Sequence, residues 1–354
     1  MTHHEPTPTP DPLRVGIVGA GIMGRANART VAANPAVRVT AVTSRGRAGA
    51  QRLADDLTAA GQPAPTVHEG LSDLLASGDV DALVVATPDH LHADAVAAAA
   101  AAGVHVLVEK PFTTDVAAAD RGVAAVRDAG IVAMCLFNHR WVPAYAQAKQ
   151  ASADLGAPVV GYARKNDTVH VPTEMIGWAG DTTCAWFLSS HDIDLLSWLF
   201  DDTVDEVFAT ARFGVLRGRG IDTPDAMQIQ CRYSLGAVAT FESCWVYPNS
   251  FPTMTDSFVS AVYEDGVVQL DRQVENITVA TRDGFAYPRN VLQRELHGRP
   301  SGAYPDAVDH FVACARTGTA PLITLESSRH VTAVLAAAHE SARIGAPVKV
   351  APAP

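Results

Sequence analysis

Leu13-Arg14-Val15-Gly16-Ile17-Val18-Gly19-Ala20-Gly21-Ile22-Met23-Gly24 decides the fold: an apolar strand runs straight into Gly-x-Gly-x-x-Gly and then into a helix. Each glycine has its own physical duty. Gly19 allows the tight turn, Gly21 lets the backbone approach a phosphate pair, and Gly24 lets the helix pack close to the strand. The free N–H groups of the first helical turn, where Ile22 and Met23 lie, then face an anion, each favourable interaction being worth about 0.3–1 kcal/mol. The stretch reads as a site for a dinucleotide.

From residue 13 to about 136 short Val-rich strands alternate with Ala-rich helices, the pattern of a parallel sheet covered on both faces. Strands are placed at 14–18, 37–42, 65–67, 82–86, 104–108 and 131–136, and six strands with crossover helices make a Rossmann domain. After Phe137 the pattern changes. A helix near 143–153, a strand near 158–165 and a helix over 186–200 lead into long alternating strands at 204–213, 225–234, 237–246 and 257–263. Two closing helices, near 304–317 and 326–343, complete an α+β domain. The fold class is therefore α/β, an N-terminal doubly wound parallel sheet over 13–137 followed over 138–354 by an α+β domain on a mostly antiparallel open sheet. Residues 1–12, with alternating Thr and Pro, read as a disordered lead without the apolar stretch of a signal peptide.

With 354 residues, 48% of them hydrophobic and 18% charged, the chain has the composition of a soluble globular protein rather than a disordered one. A net charge of -11 without any basic run argues against nucleic acid as a partner. No stretch is apolar enough for a membrane span. The five cysteines are scattered singly, with no metal-ligand spacing, so they read as reduced core residues of a cytoplasmic protein and no metal is expected.

In open α/β sheets ligands lie beyond the carboxyl ends of the strands, so the segments that follow the strands carry the chemistry. Strand four is followed by Ala86-Thr87-Pro88-Asp89-His90-Leu91-His92, strand five by Glu109-Lys110-Pro111 and strand six by Asn138-His139-Arg140-Trp141. These segments, with His191 and Asp194 on a helix of the second domain, resemble the Gfo/Idh/MocA family of NAD(P)-dependent oxidoreductases, whose hallmark is the Glu-Lys-Pro tripeptide. The resemblance covers nearly the whole chain after residue 13. It implies that Lys110 relays the proton of the reacting hydroxyl and that His191 is a second acid/base group. It also implies that Thr87, Pro88, His92, Glu109, Asn138 and Trp178 line the cofactor; Arg140 is expected either on the substrate side of the cleft or in an interdomain ion pair, and Asp194 either as a substrate ligand or as a helix-face or subunit contact. A homodimer or homotetramer built on the open sheet is implied as well. For Lys110 to accept a proton near neutrality, its pKa of about 10.4 would have to fall by about 3 pH units, or about 4 kcal/mol against the ammonium, which desolvation can supply.

The chain departs from that family pattern in two places. The usual form has an Asp four residues before His191 and a Gly two before it, where this chain has Phe187 and Ser189. Asp192, Asp194 or a residue of the 166–182 segment is left to stand in for the missing carboxylate. The Arg that usually follows Trp178 is also replaced, by Ala179. His170, Tyr247 and Asp256 lie in rim segments and carry no assignment.

The residue about 20 positions after the last glycine chooses between a ribose 2′-hydroxyl and a 2′-phosphate. Here it is Ser44, followed by Arg45 and Arg47, with no Asp or Glu to accept the ribose hydroxyls. A hydroxyl donor beside a planar cation suits a phosphate, so NADP(H) is expected over NAD(H). The leading expectation is an NADP-preferring dehydrogenase or reductase acting on a secondary alcohol of a sugar, cyclitol or similar polyol. Two rivals are a non-catalytic nucleotide-binding sensor and an enzyme that uses transient oxidation by a tightly held cofactor for elimination, hydrolysis or epimerisation.

Overall fold

The computed structural model describes residues 11–282 and 284–354, so most of the expected disordered lead lies outside the described residues. The N-terminal layer runs β1 (Leu13–Val18), α1 (Ile22–Ala32), β2 (Val37–Thr43), α2 (Arg47–Ala59), β3 (Thr66–Val67), α3 (Leu71–Ala76), β4 (Ala82–Val85), α4 (His92–Ala101), β5 (His105–Val108), α5 (Val116–Ala129) and β6 (Ala133–Cys135). All five strand pairings are parallel, in the order β3-β2-β1-β4-β5-β6. This is the doubly wound order whose reversal, between β1 and β4, opens a crevice at the carboxyl ends of the strands. The four residues of β4, Ala82 to Val85, are all buried, as a strand covered on both faces requires. Helix ends follow local chemistry. Asp115 caps α5 by accepting from the Ala118 N–H at 2.6 Å, and Gly130, at φ 64°, closes it.

The second half contains α6 (Pro143–Ser152), β7 (Pro158–Thr168), α7 (Ser190–Phe200), β8 (Val204–Arg212), β9 (Ala226–Tyr233), β10 (Val238–Tyr247), β11 (Thr255–Tyr263) and β12 (Gly266–Asp271). There follow the small ribbons β13 (Val279–Ala280) with β14 (Phe285–Ala286) and β15 (Arg294–Leu296) with β16 (Arg299–Ser301), then α8 (Ala303–Thr317), α9 (Leu325–Ile344) and β17 (Val348–Lys349). The seven-stranded sheet has the order β12-β11-β7-β10-β9-β8-β17 and is antiparallel except for β7 against β10. One face lies under α7: a Cβ added to Gly161 of β7 would meet the side chains of Leu196 and Phe200. The opposite face carries Tyr162, Arg164, Gln228, Gln230, Glu242 and Phe258, all half-buried or exposed.

Three features differ from the sequence reading. Strand β7 runs on through Thr168 rather than ending at 165, because Asn166, Asp167 and Thr168 are held by β10 and β11 on either side. The helix expected over 186–200 begins with a widened π-type turn at Ala185–Ser189 and becomes regular only at Ser190. The closing helices also do not belong to the second sheet alone. Helix α8 packs on α1 and β5, and α9 lies between α5 and β8, so the two sheets share one continuous core. Burying the apolar side of α8, which holds Ala307, Phe311 and Cys314, requires the N-terminal layer.

Among the described residues no helix is long and apolar enough to cross a membrane, and no group of three or more His, Cys, Asp or Glu is arranged to hold a metal ion. All five cysteines are free thiols.

Candidate active site

The glycine turn is built as a cradle. Gly19 has φ 109°, and a Cβ there would lie 2.3 Å from the Ala86 carbonyl oxygen, while a Cβ on Gly24 would lie 2.0 Å from the Gly19 carbonyl oxygen. At Gly21 an added Cβ would meet nothing within 4 Å, so its outer side is open space beside the first turn of α1. That turn has no side-chain cap and no acidic residue, leaving its N–H groups for an anion. Ile22 and Met23 are exposed on the same turn. At the far end of β2, Ser44 and Arg45 lie at the surface, with the Ser44 hydroxyl donating to the Gly46 carbonyl at 2.8 Å. Arg47 is paired with Glu69, both exposed.

The motif loops after β4 and β5 are tied together by His92. Its ring nitrogens face the carbonyls of Pro111 and Thr87, each at 2.8 Å, and burial lowers its pKa so that a neutral ring donates to one carbonyl at a time. Glu109, 7% exposed, accepts from Asn27 at 2.9 Å and from the Tyr304 hydroxyl. Both residues were expected at the cofactor. Their polar atoms go instead to shaping the loops that present Lys110. Thr87 Oγ1 and Asn138 Oδ1, by contrast, are buried with no hydrogen-bond partner. The open glycine cradle and these two orphaned acceptors fit a dinucleotide lying across the crevice.

Lys110 reaches out of the Rossmann layer to the second domain. Its Nζ donates to the Phe187 carbonyl at 2.9 Å and lies 4.2 Å from the centroid of the Phe187 ring. A carbonyl dipole and a π face thus occupy the place where the family pattern has a carboxylate. Desolvation holds the Lys110 ammonium below the usual lysine range. Trp178 packs edge-on against Phe187 at 6.4 Å, on the outer side of the same corner.

His191 stacks on His139, with ring centroids 4.2 Å apart and planes 17° from parallel. Burial, together with the charges of Lys110, Lys165 and Arg272, pushes His191 well below the usual histidine value, and His139 is lowered in the same way. Both rings are neutral at pH 7. Arg272, which can only donate, stands 3.3 Å from His139 Nε2, so that nitrogen accepts and the His139 proton is on Nδ1. Neither Nδ1 of the stacked pair has a partner.

Beneath the stack lies a charged floor that the sequence reading did not assemble. Lys165 of β7 is ion-paired with Asp192 of α7, and both are almost fully buried. Desolvation brings the Lys165 ammonium to about 8. Two residues further along the strand, the Asp167 carboxyl accepts from the Thr255 hydroxyl, and desolvation pushes it up to about 6. Arg289 donates to the Thr255 carbonyl and to Thr253 Oγ1, and burial lowers it to about 10. The signal available in sequence was a cluster of charges, Arg164-Lys165-Asn166-Asp167, on a strand with a buried face. Arg272 and Arg289 had none, because the 272–302 segment has no periodicity.

Arg140 and Asp194 bond each other, the ion-pair alternative for Arg140 rather than the substrate one. Arg140 Nε and Nη2 donate to the two Asp194 oxygens at 3.0 and 2.6 Å, and Nη1 donates to the Leu322 carbonyl. With 9% and 1% of their side chains exposed, they form a buried ion pair that pins α7 to the segment after β6. His170 pairs with Glu174 at the surface, Asp256 with Arg164, and the Tyr247 hydroxyl accepts from Asn166, so none of the three rim residues enters the site.

Residues 13–137 match the sequence profile of an oxidoreductase family with an NAD-binding Rossmann fold, and residues 155–350 match that family's C-terminal α/β domain. The chain is 29% identical over 347 residues to D-xylose 1-dehydrogenase (NADP(+)) 2 of Haloferax volcanii, covering 93% of this chain and 99% of that protein. It is 23% identical to scyllo-inositol 2-dehydrogenase (NAD(+)) of Bacillus subtilis, covering 96% of each. Its fold superposes with a TM-score of 0.81 on scyllo-inositol dehydrogenase of Lactobacillus casei, solved with NAD(H) and scyllo-inositol, at 20% identity and with 97% and 100% of the two chains covered. Cradle, hallmark lysine and both matched domains lead to one conclusion: the chain belongs to the Gfo/Idh/MocA oxidoreductase family.

Proposed function

We propose that this chain is an NADP(H)-preferring oxidoreductase acting on a secondary alcohol, or the matching ketone, of a sugar, cyclitol or related polyol. The observation that carries the reading is Lys110 at the meeting of the two domains, its ammonium disfavoured by burial and its neighbour His191 neutral. Nicotinamide, held by the Gly19–Gly24 cradle with Thr87 and Asn138 beside it, would supply the hydride acceptor or donor. The protein's own part is to manage the proton. In the oxidising direction the free amine of Lys110 accepts the hydroxyl proton, and in the reducing direction the ammonium returns it. The Phe187 carbonyl accepts an N–H in either state and so orients Nζ without fixing its charge. His191 is a second site able to hold a proton. The unpartnered His191 Nδ1 would give a hydroxyl-bearing ligand a partner that an apolar one would leave unpaired.

The preference for the 2′-phosphate rests on Arg45, which is exposed and makes no ion pair among the described residues, next to the Ser44 hydroxyl. The named relatives include one NADP(+) and one NAD(+) enzyme. A homodimer or homotetramer through the open face around Tyr162 and Phe258 completes the proposal, and light scattering of the purified protein checks it.

The test is a screen of aldoses, cyclitols and their keto forms with both nicotinamides, following absorbance of the reduced cofactor. Turnover with a polyol and a lower KM for the NADP form support the reading. Cofactor that copurifies and is regenerated each cycle, with no net change in absorbance, would replace it with transient oxidation. Binding without turnover of any polyol would replace it with a sensor.

A further inference from the structure

Phe187 removes a carboxylate from the helix side of Lys110, and the remaining acids near the lysine are nearly all committed elsewhere. Glu109 is bonded by Asn27 and Tyr304, Asp89 by Thr182, Asp192 by Lys165 and Asp194 by Arg140. Asp167 approaches from the sheet rather than from the Rossmann layer. It is 2% exposed, accepts from the Thr255 hydroxyl and faces the Trp245 indole, and like Glu109 and Asp89 it has no Lys or Arg side chain bonded to it among the described residues.

Strand geometry sets where Asp167 lies. Alternate residues of a strand share a face. Gly161 meets Leu196 and Phe200 late in α7, and Lys165 meets Asp192 early in it, so β7 runs antiparallel to the helix. Asp167, one step further on that face, therefore comes under the turn before α7, which is the turn whose Phe187 holds Lys110. Strand β7 does contact that turn. Trp245 closes the same corner, packing against Phe187 at 5.6 Å from β10.

We propose that Asp167, approaching from the sheet, adds to Glu109 and Asp89 the third carboxylate that helps set the charge of Lys110 in this chain, where the helix supplies none. The inference deepens the reading of Lys110 as the proton carrier and rests on it. Asp167 is a positioning residue here, acting on substrate through the lysine. The groups facing Lys110 are Glu109, Asp89, Asp167, the neutral Cys135 thiol and neutral His191. Those facing Asp167 are Thr255, Arg289, Lys110, Trp245 and the Cys244 thiol. Burial raises the Asp167 carboxyl to about 6.

Competitive acetylation of the cofactor-free protein, read by mass spectrometry at Lys110 against exposed Lys349 across pH, measures the lysine's protonation without any turnover. Asp167→Asn should lower the Lys110 midpoint by about half a pH unit or more, since an ionised carboxylate favours the ammonium. Asp167→Glu should keep it near the native value. Neutralising a carboxyl whose ionisation burial already opposes should not unfold the protein, and Asp167→Ser reads the same loss of charge in a smaller side chain. A loosened site would speed labelling at every pH with no change of midpoint. An unmoved midpoint in the Asn and Ser variants overturns the proposal. Failure of the proton-carrier reading shows separately, as turnover retained by Lys110→Ala.

Discussion

The two walls of the site are made by opposite means. On the Rossmann side, the polar groups that shape the loops are matched to protein partners, His92 to two carbonyls and Glu109 to Asn27 and Tyr304, and only groups facing the cradle, such as Thr87 Oγ1 and Asn138 Oδ1, are left open. On the sheet side, Lys165, Asp167, Arg272 and Arg289 are buried together with two unprotonated histidines, and several polar atoms have no partner. The first wall is a rigid mould for a ligand with fixed geometry. The second holds charge in a low-dielectric setting, where proton positions are easily moved. A shared recognition task needs a standard cradle, whereas chemistry on a variable substrate needs adjustable charge.

Breaking each wall should therefore take a different kind of change. On the sheet side the largest effect comes from removing one charge: Lys165→Met should cost about 3–5 kcal/mol in urea unfolding, because Asp192 is left buried and unpaired. Lys165→Met combined with Asp192→Leu should recover most of that loss. On the Rossmann side an added methyl suffices. Gly24→Ala, whose Cβ would press on the Gly19 carbonyl, should cost about 1–3 kcal/mol of stability and weaken cofactor binding about a hundredfold by calorimetry.

Acid titration sharpens the contrast further. His139 and His191 are held below the usual histidine value, so their contribution to stability is present above pH 6.5 and is lost as pH falls, when the unfolded chain takes up protons that the folded one refuses. Each should add a slope of about 1.4 kcal/mol per pH unit below that point. Asp167, raised from 3.8 to about 6, acts in the opposite sense: its contribution is present below 3.8 and is lost as pH rises through about 6. His139→Asn should flatten the acid limb in thermal melts, and Asp167→Asn should steepen it between pH 6 and 4. The smallest effect belongs to the exposed edge of the cradle. Arg45→Ala should weaken NADPH about fivefold to tenfold with NADH unchanged, and tighter NADH than NADPH binding in the native protein would defeat the assignment.

The difference between the walls also decides what a reader of the sequence can see. The alternation of strands and helices, the glycine turn and Glu109-Lys110-Pro111 are carried by short stretches of sequence, so they were legible. His139 was in view but lay between Asn138 and Arg140, and only its stacking partner 52 positions away gives it meaning. Arg140 and Asp194 are polar, adjacent to the site and mutually satisfied, a pairing that spacing along the chain does not reveal. Asp167 fell in a segment expected to be a loop, and strand pairing on both sides carried β7 three residues further. Arg272 and Arg289 come from an irregular excursion whose position depends on Glu275 and Thr255.

The central claim is that the amine of Lys110 carries the hydroxyl proton while the Rossmann wall binds cofactor independently of it. Turnover and cofactor affinity of Lys110→Ala, measured side by side with a polyol found in the screen, test it most directly. The account predicts native cofactor affinity and a kcat lower by about 10² to 10⁴. Undiminished kcat, or a loss of activity fully explained by lost cofactor binding, would contradict it.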